Sequence, residues 1–128
     1  MDKSEIVKEW FSKGNKDLKD AEFLFKHNRA LETISFHIQQ AAEKYLKGFL
    51  IAKGKKLEMI HDLVKLLSDA IRIDPDFEQF KEIVEKVTNF YFESRYPMGY
   101  EVEYTKSEIK DSLIQIKRLI KMIEAKTL

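Results

Sequence analysis

Residues 29–54 read RALETISFHIQQAAEKYLKGFLIAKG, and the fold is decided there. At 100° per residue, Ala30, Leu31, Ile34, Ile38, Ala41, Ala42, Tyr45, Leu46, Gly48, Phe49 and Ala52 fall on one arc of about 160°. An arc that wide needs more than one neighbour to cover it, so the spacing predicts a central helix from about Arg29 to Lys53. Ala41, Ala42 and Gly48 are small enough to let another helix come close. Gly54 follows as a residue suited to the left-handed stop of a helix.

Working outward, apolar residues recur at spacings of 3 and 4, and strand-like alternation is absent. A first helix from about Ser4 to Lys26 carries Val7, Phe11, Gly14, Leu18, Ala21 and Phe25 on one stripe, with Ser4 or Asp2 as cap and His27-Asn28 as stop. A third, from about His61 to Arg72, aligns Ile60, Leu63, Val64, Leu67, Ala70 and Ile71. A fourth opens on Asp74-Pro75, an acid cap followed by proline at the first helical position, and ends before Pro97. After a loop from Arg95 to Tyr104, Thr105-Lys106-Ser107-Glu108 has the form of a capping box opening the fifth helix. Short connections between long amphipathic helices imply antiparallel neighbours. The expectation is one all-α domain over residues 1–128, an up-and-down helical bundle of about five helices.

Composition narrows the function classes. A chain of 128 residues, 44% hydrophobic and 35% charged, buries a core of its own and is neither disordered nor membrane-like. The absence of cysteine excludes disulfides, thiolate metal sites and a cysteine nucleophile. The first residues, Met1-Asp2-Lys3-Ser4-Glu5, lack the apolar region of a signal peptide, and no apolar run approaches the roughly 20 residues of a membrane span. The expected location is the cytoplasm. A net charge of +1 gives no general pull toward nucleic acid. Charge is nonetheless uneven: Lys44 to Lys56 holds five lysines and no acid, and Asp74 to Glu85 holds five acids and one lysine.

Two constellations point to binding. Thr33, His37, Gln40, Lys44 and Lys47 lie within about 80° of one another along one margin of the apolar arc. Two ammoniums with directed donors between them suit phosphate and ribose oxygens, with Glu43 near enough to offset their repulsion. The loop concentrates Arg95, Tyr96, Tyr100 and Tyr104 around Pro97 and Gly99. A guanidinium binds phosphate bidentately, and tyrosine rings stack on bases. Glu58 and His61 have the Glu-x-x-His spacing of di-iron bundles, but such sites need two copies and two further glutamates, so no metal is expected. No glycine-rich phosphate loop and no nucleophile elbow is present.

These residues resemble a known family. Ile38 to Lys47 is similar to the Q-Q-A-x-E-K-x-x-K helix of HEPN domains, His61-Asp62-Leu63 to the H-x-L that opens their next helix, and Arg95-Tyr96-Pro97 to the R-Y-P before their last. Trp10, Asp17-Leu18 and Ala21 resemble their first helix, so the similarity covers nearly the whole chain in order. The resemblance implies a helical bundle, usually a homodimer, of a kind often encoded beside a minimal nucleotidyltransferase as a toxin–antitoxin pair. It implies nucleotide or RNA binding; on the stripe and loop above, Gln40, Lys44, Lys47 and Tyr96 are the expected ligand contacts, and no cofactor is expected. Many members are metal-independent ribonucleases that place an arginine and a following histidine with four to six residues between them. No histidine follows His61 here, and Tyr100 stands four intervening residues after Arg95. A tyrosine near pKa 10 is a poor general base at neutral pH. The leading expectation is a binding module acting with a nucleotidyltransferase. The alternatives are a ribonuclease toxin using Arg95 and Tyr100, and a non-catalytic structural interaction protein.

Overall fold

A computed structural model describes residues 2–56, 61–93 and 104–127. Its elements are α1 (Lys3–Lys26), α2 (Leu31–Ala52), α3 (Leu63–Ile73), a 3-10 helix (Pro75–Phe80), α4 (Lys81–Glu93) and α5 (Lys106–Thr127). Among the described residues there is no strand.

The ends form where the side chains dictate. The Asp2 carboxylate accepts from the Glu5 amide and starts α1. Asn28 takes φ 54°, the left-handed turn that ends it. Gly54, at φ 92°, turns the chain after α2 while the Lys55 amide donates to the Leu50 carbonyl. Asp62 caps α3, leaving His61 just outside the helix and free to bond elsewhere. The capping box of α5 closes both ways, with the Glu108 amide donating to Thr105 Oγ1 at 3.1 Å and the Thr105 amide to Glu108 Oε1 at 3.5 Å.

The expected fourth helix divides in two. Asp74 accepts from the Asp76 amide at 3.0 Å and winds the first turn tightly. At three residues per turn, side chains three apart eclipse. Phe77 and Phe80 therefore both enter the core before α4 begins.

α1 and α2 share the largest interface. They run antiparallel: Lys47 meets Trp10, Tyr45 meets Gly14, and His37 meets Asp17. The end of α4 meets the start of α5, and Phe36 near the start of α2 meets Tyr91 near the end of α4. α5 lies antiparallel to α1, with Lys117 on Glu22 and Lys106 over Phe25. The four long helices thus alternate in direction, with α3 and the 3-10 turn closing one end. α2 is central and touches α1, α3, α4 and α5. Its buried surface is wider than the apolar arc and takes in Ser35, Gln39, Glu43 and Lys47.

Candidate functional site

Asp17 lies one step off the apolar stripe of α1, against α2, and is buried. A carboxylate in that position must be compensated. His37 Nδ1 donates to Oδ1 at 2.9 Å, and the Lys44 ammonium donates to Oδ2. An ionised carboxylate only accepts, so the hydrogen of this bond is carried by Nδ1. Among the described residues Nε2 has no partner. The His37 and Lys44 side chains keep 21% and 26% of their surface, and half-buried Gln40 lies between them along the helix. The Phe36 ring meets the imidazole edge-on at 5.2 Å.

One turn further along α2 the setting changes. Lys47 is 5% exposed and Glu43 is 3% exposed, with Nζ and Oε1 2.9 Å apart. His61 Nδ1 donates to the same oxygen at 2.8 Å, and the Lys47 ammonium lies 5.4 Å from the centre of the Trp10 ring. Three residues of the family-like motifs, Glu43, Lys47 and His61, therefore meet in one network that joins α2 to the start of α3. Lys47, expected as a ligand contact, is paired with Glu43 in this network. Desolvation of its stem by Trp10 and pairing with Glu43 keep the ammonium inside.

The structure brings His37, Gln40 and Lys44 together on the α1–α2 margin. Asp17, which anchors them, was not singled out by spacing; its signal is an acid beside an apolar stripe. A cleft of about 270 Å³ opens at one end of the margin, lined by Ile6, Glu9, Trp10 and Lys13. Arg95, Tyr96 and Tyr100 lie outside the described residues, as does Glu58. Ring contacts hold the described flanks of their segment, with Tyr91 5.9 Å from Phe36 and Tyr104 4.1 Å from Phe90.

Donor atoms of Asp17, Asp20 and His37 lie within 4.8 Å of one another. Asp17 already accepts from His37 and from the Lys44 ammonium, whose charge opposes that of a cation at this set.

The HEPN domain model matches residues 7–126. Among solved structures, TT1696 from Thermus thermophilus superimposes with a TM-score of 0.77 at 25% identity, over 94% of this chain and 97% of that one. ST0689, described as an archaeal HEPN homologue, gives 0.71 at 22% identity over 95% and 98%. No curated protein matches the sequence. HEPN domains are helical modules associated with nucleotides and RNA, and they commonly dimerise. With nearly the whole chain matched and the bundle shared, this protein belongs to the HEPN domain family.

Proposed function

We propose that this protein is a HEPN module that binds a nucleotide or RNA on the α1–α2 margin and acts beside a minimal nucleotidyltransferase in a toxin–antitoxin pair in the cytoplasm. The observation that carries the reading is the convergence of His37 and Lys44 on Asp17, which sets a partly exposed imidazole and a partly exposed lysine side chain next to each other. Asp17 offsets the charge of Lys44, so the unpaired positive charge that a phosphate needs is assigned to Arg95. Tyr91 touches Phe36, the neighbour of His37, and four residues of chain reach at most roughly 14 Å. That span is compatible with Arg95 meeting the margin, with Tyr96 as a stacking ring. The module is assigned as a two-fold homodimer, the commonest assembly.

Titration of nucleotide and short RNA tests this. Arg95→Ala and Lys44→Ala should lose binding, with the melting temperature of Arg95→Ala nearly unchanged. Unaltered affinity in Arg95→Ala, or a large loss of stability without loss of binding, contradicts the site. Sedimentation at micromolar concentration should show a dimer.

A ribonuclease reading with Arg95 and Tyr100 gains one specific support. A histidine oriented by a carboxylate, as His37 is by Asp17, is the general-base arrangement that the Arg-to-Tyr spacing lacks.

A further inference from the structure

The outer surface of α1 and α5 is separate from the α1–α2 margin. On α1, Lys8, Lys19 and Lys26 follow one another at 11 and 7 residues, close to whole numbers of turns, and so line one face. On α5, Lys110, Ile114, Lys117 and Lys121 follow the 4-3-4 spacing of a single stripe. The Lys117 ammonium reaches Glu22 at 3.2 Å and holds the two rows side by side. Lys8, Lys19, Lys26, Lys110 and Lys121 are all exposed, and among the described residues none of them is in an ion pair. The acids nearby are Glu22, bound to Lys117, Asp111 at the border, and Glu5 and Glu124, which stand at the far end of the face where α1 begins and α5 ends. The acids of the 74–85 stretch lie on the 3-10 helix and α4, and α4 has no contact with α1.

Amid these lysines stand Phe23, 60% exposed, and Ile114, 48% exposed. The Phe23 ring lies 4.2 Å from the imidazole of His27, centre to centre, with the two planes tilted 41° to each other, so Phe23 itself is the exposed ring of this face. A two-fold contact between copies through this face would set lysine rows against lysine rows, which repel. The occupant that fits is an anion of extended shape with apolar faces of its own.

We infer that the α1–α5 face is a track for single-stranded nucleic acid, with the lysine rows along the phosphates and Phe23 stacking on a base. Rows of cations interleaved with an exposed aromatic ring are what sequence-tolerant single-strand binding uses, and every base offers a face to stack. The choice of ligand rests on the RNA branch of the proposed function, whereas the face itself is independent of the α1–α2 margin.

The test is fluorescence anisotropy of a labelled single-stranded RNA of about 12 nucleotides, titrated with the full chain across a salt series. The triple variant Lys19→Glu, Lys110→Glu, Lys121→Glu changes only exposed side chains and should melt as the wild type does. Its log–log salt slope should fall by about 2, because single strands release about 0.7 counterion per phosphate contact. Phe23→Ala should weaken binding about tenfold with the slope unchanged. An unchanged affinity and slope in the triple variant overturns the inference. So does wild-type protein that binds mononucleotide but not RNA, an outcome that leaves the margin site standing. Labelled poly-glutamate binding more tightly than RNA, and equally to Phe23→Ala, would assign the face to an acidic protein and also overturn it. Loss of mononucleotide binding in Lys44→Ala, with RNA binding kept, would support the track and separate the two sites.

Discussion

The Glu43 carboxylate accepts hydrogen bonds from Lys47 and His61 while almost none of it meets water. Removing one partner of a buried pair strands the other charge, so Glu43→Ala should cost about 3–5 kcal/mol in a denaturant melt. Replacing both, as Glu43→Leu with Lys47→Met, should recover most of that loss, since an apolar pair of similar volume removes the unpaired charge. A double variant as unstable as the single one would show that His61 depends on the carboxylate more than Lys47 does. Tyr45 behaves differently because it has no charge to balance. Burial, reinforced by the nearby Glu124, pushes its phenol up to about 12. The unfolded phenol ionises near 10, so this contribution to stability is present below that pH and fades as pH climbs above it. Ultraviolet titration should show one of the five tyrosines ionising well after an ordinary phenol. The lysines of α2 show where sequence reading stops at this scale. Lys44 and Lys47 are alike on the helical wheel, but only the α1 residues opposite them, Asp17 and Trp10, make one half-exposed and the other buried.

Between elements, the α1–α2 seam depends on two glycines. A Cβ at Gly14 would lie 2.6 Å from Tyr45 Cδ2, and one at Gly48 would lie 2.6 Å from Phe11 Cε1. Alanine improves an isolated helix by roughly 0.5–1 kcal/mol, but overpacking costs about 1–3 kcal/mol. Gly14→Ala should be the worse of the two, because Tyr45 is buried and cannot move aside as half-buried Phe11 can. Thermal melts that rank Gly48→Ala lower would contradict this packing. Phe49, fully buried against Phe77 at 4.7 Å, should cost about 3–5 kcal/mol on truncation to alanine. The helices, their caps and the central place of α2 were legible because periodicity and capping chemistry act within a few residues. Phe49, Gly48 and the Thr105–Glu108 box could be read in that way. The 3-10 turn at Pro75 was not, since Asp74 and Pro75 suit either helix and the tighter winding follows from seating both Phe77 and Phe80. Nor was the role of Asp17, whose partners are 20 and 27 residues away. Arg95 and Tyr96 are expected from the loop composition and the family-like R-Y-P motif and Tyr100 from its spacing to Arg95, and all three lie outside the described residues.

At the scale of the molecule, the end of α5 is held by charge. Lys126 donates to Asp74 and Asp76, and Lys53 donates to the Lys126 carbonyl. The Lys126 hydrogen bond holds the Asp74 carboxyl below the usual carboxylate range, and the same bond raises the ammonium. The Asp74 contribution is therefore present above the ordinary carboxylate range and lost as pH falls through its lowered value. The Lys126 contribution is present below the ordinary lysine range and lost as pH rises through its raised value. Lys126→Ala should flatten both limbs of a melting-temperature profile, and salt should shrink the difference because the pairs are exposed. The three histidines report on separate parts of the bundle: His27 beside Phe23, His37 on the α1–α2 margin, and His61 at the Glu43 network. The most direct test is an NMR titration of their ring nitrogens with a mononucleotide. The account predicts that His37 Nε2 shifts through saturation while His27 and His61 hold still. A nucleotide that saturates the protein without moving His37 would contradict the site.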